Sequence, residues 1–451
     1  MRSYSWRGLL AASLGLFAAG INAQTGTLTD LGTLLAGQKN LTTFYALIQV
    51  CCASQWLRNA ETSANLCCNR NTPRFFYNCL HIKVSRYVLP SQSVLGTQLQ
   101  ELALMVLLPQ ILAPNNDAFN KIPYSSLNNA FKSNDQDVIT NVLEYHILQG
   151  THLAAQLVPG TPTFLPTLLT SPEWSNVTGG QRVQNVAQAG NVVVFVSGQG
   201  TRSTLVQADL AFTGGVVQII DSLLIPPSNV TQTTQAFNLT SFEGALYAGN
   251  KLPSISTTKD VTIFAPNNAA FQALGPAISS MTSDQIAAVM DYHTVDQIVY
   301  STGLTNGTKL LSAQGENITI LHAGNNVYIN SAQLLQADIL IANGVIHMID
   351  NVLNPQGPGA QPNPNIASQA PVYASASSVS NLPFTSDIPC STKCPVTATP
   401  SSSGGAGAKT TATTSSVFSS SSKGVGAPMA RETGLHAAGL MVALGGAVML
   451  L

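Results

Sequence analysis

Two histidines follow tyrosines at matching places in the chain, in the pairs Tyr145-His146 and Tyr292-His293. An imidazole titrates close to neutral pH, so each histidine is a candidate for binding a partner or moving a proton. Both histidines stand at the last position of an i, i+3, i+4, i+7 apolar pattern, which places them on the apolar face of a predicted helix. This spacing favours a buried, hydrogen-bonded histidine in each helix, and partner binding is the alternative.

Three further polar residues lie near predicted turns. His347 follows the dipeptide Asn343-Gly344 in a predicted strand, where packing or hydrogen bonding is favoured over catalysis. Asp221 and Asp350 occupy matching positions and are expected to anchor a turn or a helix end. We assign neither aspartate an acid-base role.

The sequence lacks the common catalytic signatures. It contains no G-x-S-x-G elbow, no H-E-x-x-H, no P-loop and no G-x-G-x-x-G after a predicted strand. With 20 acidic side chains in 451 residues, a paired-acid glycosidase is unattractive. We therefore predict a binding or structural protein without a cofactor, rather than an enzyme.

A repeated phrase shows how the chain is organised. "ILAPNNDAF" begins at Ile111 and "IFAPNNAAF" begins at Ile263. The tyrosine-histidine pairs, a Gln-Ala-Asp triplet and a glycine-valine strand recur in the same order, and their offsets drift only by loop-sized amounts. This pattern indicates two copies of one domain of about 130 residues rather than a solenoid.

Each copy contains signals for both strands and helices. A β-rich run ends at Ala-Pro-Asn-Asn, where proline cannot extend a ladder and asparagine can cap a helix. An amphipathic helix follows, with Thr282 and Ser283 as possible caps in the second copy. Two β-rich runs joined by Asn343-Gly344 predict a closing hairpin. The predicted fold class is α+β.

Both ends of the chain resemble processing signals. Residues 1–23 place two arginines before a short apolar stretch, which is typical of a secretory signal peptide. Residues 434–451 form a hydrophobic tail after a polar spacer, as in a signal for a glycosylphosphatidylinositol (GPI) anchor. A single membrane span is the alternative. The candidate attachment residues are Ser422, Lys423 and Gly424.

The remaining composition fits an exported chain. Only 9% of residues are charged, against about 25% typically, and 19 basic side chains give no footprint for a nucleic acid. Residues 356–433 are rich in Ser, Thr, Pro and Gly and predict a disordered, O-glycosylated stalk. Within it, Cys390 and Cys394 form an even pair that could close a small loop. Six sequons for N-glycosylation begin at Asn40, Asn176, Asn229, Asn238, Asn306 and Asn317.

The phrases "TIFAPNNAAF", "YH" and "NGVIHMIDNVL" together resemble the fasciclin domain. The resemblance covers residues 27–227 and 231–355 and implies, for each unit, a wedge of β-strands wrapped by helices. It also links the tyrosine-histidine pairs to adhesion, and His347 is a further candidate binding residue.

The complete layout is similar to that of fungal fasciclin-like surface proteins. This similarity implies a GPI-anchored glycoprotein on the outer face of the plasma membrane or in the cell wall. Its expected role is adhesion or matrix organisation, with wall or matrix components, glycans or other surface proteins as partners. The alternatives are a binder of a small lipid or wall polysaccharide and, third, an enzyme acting on wall polymers.

The first copy departs from the second in a cysteine-rich run within residues 50–110. Phe44 to Ala113 spans 69 positions and Phe242 to Ala265 spans 23, so the first copy carries 46 extra residues. A translated intron is favoured over a disulfide-bonded insertion or a zinc site, because the cysteine number is odd and the pairs are adjacent. We expect residues 51–94 to pack poorly and residues 102–112 to replace the missing strand imperfectly. The cysteines are Cys51, Cys52, Cys67, Cys68 and Cys79.

Overall fold

A computed structural model describes residues 28–49, 108–188, 190, 192–357 and 359–389, all within one compact unit that ends at Pro389. Several predicted features lie outside the described residues. They are the signal peptide, the five cysteines of the cysteine-rich run, Cys390 and Cys394, the lipid-attachment candidates and the apolar tail.

Each repeat forms a seven-stranded sheet. The strands of the first repeat are β1 (Gln110–Pro114), β2 (Ile147–Leu148), β3 (Thr163–Pro166), β4 (Arg182–Ala187), β5 (Val193–Val196), β6 (Arg202–Phe212) and β7 (Gly215–Ile220). Those of the second are β8 (Val261–Pro266), β9 (Thr294–Val295), β10 (Lys309–Leu311), β11 (Asn317–Ala323), β12 (Asn326–Ile329), β13 (Ala332–Ile341) and β14 (Gly344–Ile349).

The two sheets have the same topology, with orders β2-β1-β7-β6-β5-β4-β3 and β10-β11-β12-β13-β14-β8-β9. The strand that carries the repeated phrase pairs in parallel with the last strand of its repeat.

Helices flank each sheet, and the predicted helices before both tyrosine-histidine pairs are confirmed. The helix Ser283–Tyr292 is capped at its N-terminus by Thr282, whose side chain accepts from the Gln285 backbone N–H in a capping box. The first repeat has helices at Leu31–Gly37, 42–49, Asn116–Phe119, Asn128–Ser133 and Gln136–Tyr145. The second has helices at Val230–Ala236, Thr240–Ala248, Leu252–Thr257, Asn268–Leu274, Pro276–Ser279 and Ser283–Tyr292.

The two asparagines of the repeated phrase perform different tasks. In the second repeat, the Asn267 side chain accepts from the backbone N–H of Ala270 at 2.8 Å and caps the helix that follows. The next residue, Asn268, accepts from the backbone N–H of Ser241 at 3.0 Å, at the start of a distant helix. Asn115 and Asn116 make the equivalent bonds in the first repeat. The phrase thus fixes two helix starts at the end of one strand.

The sheet of the second repeat separates two apolar cores. Val261, Ile263 and Ala265 face the helices, whereas Phe264 faces the smaller core enclosed by β10 to β12. This alternation follows from the two-residue period of a strand. The hairpin predicted at Asn343-Gly344 is confirmed, since Ile341 pairs with Gly344.

The first strand corrects one expectation. Residues 110–114 form a fully buried strand in the same parallel arrangement as β8, so the strand is present rather than replaced imperfectly. It is shorter than β8 because Pro109 has no backbone N–H. In the second repeat, Val261 occupies that position and donates to the Asn343 carbonyl at 2.9 Å.

Part of the predicted stalk lies against the second repeat. Residues 359–389 contain one short 3₁₀ helix, Thr385–Asp387, yet Tyr373, Ala376 and Phe384 pack against the helical core. Apolar burial at these few positions, together with hydrogen bonds from the backbone, orders a segment whose composition alone predicts disorder.

Candidate functional site

His146 lies at the end of its helix and is 1% exposed. Its Nδ1 is 2.7 Å from the carbonyl oxygen of Val142, one turn earlier in the helix. Its Nε2 accepts from the backbone N–H of Leu224 at 2.9 Å. The imidazole therefore joins the helix to the segment that follows the last strand of the repeat.

His293 repeats this geometry in the second copy. Its Nδ1 is 2.7 Å from the Val289 carbonyl oxygen, and its Nε2 accepts from the Leu353 N–H at 2.9 Å. Burial lowers the pKa of both His146 and His293 to about 4, so each ring is neutral at pH 7. Both ring nitrogens are engaged, which leaves no group for an external partner or a proton transfer.

The two adjacent tyrosines are also internal. Tyr145 and Tyr292 are fully buried, and their hydroxyls donate to the carbonyl oxygens of Arg182 at 2.8 Å and Asn317 at 3.1 Å. Each tyrosine thus links its helix to the first residue of a strand, β4 in the first repeat and β11 in the second. The geometry supports a structural role for both tyrosine-histidine pairs.

His347 is buried beneath the loop that precedes the 3₁₀ helix Ser301–Gly303. Its Nε2 donates to the Val299 carbonyl at 2.8 Å, and the ring stacks on Phe264 with centroids 5.6 Å apart. Burial lowers its pKa, against the opposing influence of the Asp338 carboxylate. In the first repeat, Gln218 occupies this position and donates to Asp209 at 3.0 Å. The geometry supports a hydrogen-bonding role.

The matched aspartates anchor backbone near the last strand of each repeat. The Asp221 carboxylate accepts from the Thr204 N–H at 2.8 Å. The Asp350 carboxylate accepts from the N–H groups of Gln333 at 2.6 Å and Gln369 at 2.8 Å. Burial raises the pKa of Asp350, and these two hydrogen bonds oppose that shift. These contacts agree with the expected anchoring role.

A surface joining the two repeats involves residues that no sequence pattern singled out. Phe164 of the first repeat stacks on Tyr300 of the second, with ring centroids 3.7 Å apart and planes 6° from parallel. Burial raises the pKa of the Tyr300 hydroxyl, and the nearby Arg182 guanidinium opposes that shift. Both rings are half-buried at the edge of this contact.

Polar groups complete the contact between the repeats. The Asn176 backbone N–H donates to the Ala342 carbonyl at 2.7 Å, and its side-chain Nδ2 donates to the Thr257 carbonyl at 2.9 Å. The Thr178 N–H donates to the Asp260 carboxylate at 2.7 Å, and the Thr178 hydroxyl also contacts this carboxylate. Backbone carbonyls thus supply part of the interface, and residue identity does not reveal such acceptors.

The predicted glycosylation residues are distributed over both repeats. Asn40 and Asn176 are half-buried, whereas the other four are exposed. The exposed ones are Asn229, Asn238, Asn306 and Asn317.

The family model for the Fasciclin domain matches residues 108–226 and 237–355, which include the sheets of both repeats. The chain belongs to the fasciclin domain family. It therefore carries two tandem fasciclin domains of mixed α+β structure, as the sequence predicted.

Relatives of this fasciclin chain include two fungal proteins. One, from Arthroderma benhamiae, is named fasciclin-like arabinogalactan protein and is 34% identical over 284 residues, covering 62% of this chain and 67% of the relative. The other, from Cercospora beticola, is named fasciclin-like arabinogalactan protein CTB11 and is 28% identical, covering 42% of this chain and 52% of the relative. The chain thus spans about two thirds of one relative and about half of the other.

A solved structure is also similar to the tandem fasciclin domains. It is described as a FAS1 domain pair from the insect cell adhesion molecule fasciclin I. The similarity covers 62% of this chain and 98% of the solved chain, with 18% identity and a TM-score of 0.28.

Two further observations concern only the described part of these fasciclin domains. Within it, no three His, Cys, Asp or Glu side chains are grouped so that they could hold a metal ion. Nor does any helix in that part combine the length and apolarity needed to cross a bilayer.

Proposed function

We propose that this protein is a non-catalytic surface glycoprotein that mediates adhesion or matrix organisation through its paired fasciclin domains. The observation that carries the proposal is that the residues of the tyrosine-histidine motif make their hydrogen bonds inside each domain. His146 and His293 are buried and neutral, and both nitrogens of each ring have hydrogen-bond partners. Such groups stabilise a scaffold, so recognition falls to the outer surface.

The contact between the domains supports the same proposal. The Phe164–Tyr300 stack and the bonds of Asn176 and Thr178 hold two surfaces in a fixed relation. A fixed pair can present one extended surface to a partner, because less conformational freedom is lost when it binds. The proposed partners are wall or matrix components, including glycans and other surface proteins.

We further propose that the chain is exported, N-glycosylated and attached to the outer face of the plasma membrane by a GPI anchor. The signal-like residues 1–23, the sequons and the apolar residues 434–451 support this localisation. Phosphatidylinositol-specific phospholipase should release the protein from membranes. Recovery of the Leu435–Leu451 peptide from the mature protein would contradict lipid attachment.

Complementation of a deletion strain tests the adhesive role. Wild-type protein and a Tyr124→Ala control, altered at a side chain that is 92% exposed, should restore cell adhesion and wall integrity. Tyr300→Ala should restore them incompletely if the fixed domain pair is the recognition unit. Unchanged adhesion and wall integrity after deletion would refute the proposal.

Binding screens with the purified ectodomain separate adhesion from the alternative functions. Capture of wall or surface components in a pull-down supports the adhesive role. Selective retention of a lipid or of one polysaccharide on an array would instead favour a small-ligand binder. Turnover of a wall polymer by the pure protein would contradict the non-catalytic assignment.

A further inference from the structure

Residues 369–388, here called the strap, cross the helical face of the second domain. The family match ends at residue 355, so the strap lies outside the fasciclin domain itself. Residues 363–368, just before the strap, are all exposed. The strap is therefore a segment outside the domain that reaches it after an exposed connection.

The first part of the strap is held mainly through its backbone. The Asn351 side chain donates to the Ala370 carbonyl at 2.6 Å, and the Asn354 side chain donates to the Val372 carbonyl at 3.0 Å. One strap side chain adds to these contacts, since the Tyr373 hydroxyl donates to the Leu353 carbonyl at 2.8 Å.

The second part of the strap pairs with a single helix residue. The Val379 N–H donates to the Gln272 carbonyl at 3.0 Å, and the Gln272 side chain donates to the Ser380 carbonyl, also at 3.0 Å. Gln272 thus accepts from the backbone N–H of Val379 and donates to the backbone carbonyl of the next residue, Ser380. This is how a protein recognises an extended peptide with little dependence on its side chains.

An aromatic side chain and two glycines complete the contact. Phe384 packs edge-on against Phe271, with centroids 6.2 Å apart and planes 88° apart. A Cβ on Gly244 would collide with the Phe384 carbonyl oxygen, and a Cβ on Gly275 would collide with the carbonyl oxygen of Ser377. The missing side chains allow the strap backbone to approach the helices closely.

Gly244 is informative because it lies inside the helix Thr240–Ala248. Alanine at such a position has a higher helix propensity than glycine. Alanine, which suits the helix better than glycine, would therefore exclude the strap. Helix propensity alone does not explain glycine here, whereas contact with the strap does.

We propose that the second domain carries a binding groove for a peptide segment and that the strap is its resident ligand, bound in cis. The groove is formed by the helices Thr240–Ala248 and Asn268–Leu274 together with Asn351 and Asn354. The exposed connection keeps the strap at high effective concentration, so a modest intrinsic affinity suffices to close the groove. This inference is independent of the proposed adhesive role.

The position of the strap gives the groove a mechanical consequence. The rest of the chain continues from the strap toward its C-terminal end, so a pull from that end acts on Phe384 before it reaches the domain core. Withdrawal of the strap would uncover Phe271, which is fully buried with the strap in place. The strap thus acts as a cover that the chain itself can open.

A cleavage experiment on the full ectodomain tests the groove. A protease site is placed at Asn365–Ala367, where all three side chains are exposed, and the cleaved protein is passed through a gel-filtration column. The C-terminal fragment should co-elute with the domains although no peptide bond joins them. Phe384→Ala and Gly244→Ala should release most of it, whereas Ser378→Ala, at an exposed strap position, should retain it.

Gly37→Ala is the matched control for Gly244→Ala, because it makes the same change at a helix glycine with no atom within 4 Å of the added Cβ. It should leave fragment retention unchanged. Circular dichroism of each variant distinguishes strap release from unfolding. If a variant unfolds, a labelled peptide of residues 367–389 added to the cleaved wild-type protein should exchange with the bound fragment.

Several outcomes would overturn the proposal. They are loss of the fragment from the cleaved wild-type protein, full retention by folded Gly244→Ala, and failure of the labelled peptide to exchange. Formation of dimers that share straps would overturn the cis assignment and identify a second copy as the partner.

Discussion

Asn185 in the first domain occupies the position of Ile320 in the second. The neighbouring contacts match. The Tyr145 hydroxyl donates to the carbonyl of Arg182, three residues before Asn185, and the Tyr292 hydroxyl donates to the carbonyl of Asn317, three residues before Ile320. Both side chains are buried, yet the Asn185 side-chain amide has no hydrogen-bond partner among the described residues. The first domain thus bears an unsatisfied polar group where the second has an apolar side chain.

Asn185→Ile should therefore stabilise the first domain. Removing an unpaired buried amide avoids a desolvation cost of about 1–3 kcal/mol, and the isoleucine adds apolar burial. Urea denaturation should show a higher midpoint with an unchanged slope. Ile320→Asn is the reciprocal change and should destabilise the second domain, and a destabilised Asn185→Ile variant would indicate that the amide has a partner such as water.

The buried histidines should make stability depend on pH. Burial lowers the pKa of His146 and His293 from 6.5 to about 4, so between these pH values the unfolded chain binds protons that the folded chain does not. Their contribution to the free energy of unfolding is complete above pH 6.5 and is lost as the pH falls toward 4. The loss is on the order of 3 kcal/mol for each histidine. Urea titrations at pH 7 and pH 5 measure this loss.

Replacing a buried histidine should flatten that dependence. His293→Gln should lower the free energy of unfolding at pH 7, since it disturbs a bridge between two backbone groups, and should reduce the difference between pH 7 and pH 5. Leu311→Gln, at an exposed position in the same domain that does not titrate, should keep the wild-type pH dependence. An equal difference in the free energy of unfolding between pH 7 and pH 5 in both variants would show that other groups cause the pH dependence.

The aromatic stack should govern how firmly the domains associate. Tyr300→Ala removes a ring contact worth roughly 0.5–1.5 kcal/mol beyond its buried area. Hydrogen exchange at the Asn176 backbone N–H, which bonds to the Ala342 carbonyl across the interface, should then accelerate roughly two- to tenfold. Tyr124→Ala should leave this rate unchanged, and unchanged exchange in Tyr300→Ala would mean that the polar bonds alone hold the domains.

The sequon at Asn176 should carry less glycan than the one at Asn306. The Asn176 Nδ2, the atom that a glycan would modify, donates to the Thr257 carbonyl of the other domain, and its sequon partner Thr178 contacts Asp260. Asn306 is exposed on the second domain. Glycopeptide mass spectrometry measures both occupancies in one sample, and equal occupancy in protein whose domains remain docked would contradict this expectation.

Local patterns determined much of each domain. In the second domain, the strand that carries the start of the repeated phrase, the capped helix that precedes His293 and the hairpin at Asn343-Gly344 could all be predicted from the sequence, because each depends on residues within about one or two turns. Duplication added confirmation, since two divergent copies keep the same signals. The apolar spacing also indicated that the two histidines are internal.

Contacts between distant residues decided the rest. Gly244 makes room for Phe384, and Phe164 meets Tyr300, although 140 and 136 positions separate the members of these pairs. No local periodicity records such pairs, because their stability comes from shape and burial after both partners have folded. The sequence by itself determined two similar domains and their internal histidines, whereas only the tertiary structure decided how the domains dock and that the strap covers the second one.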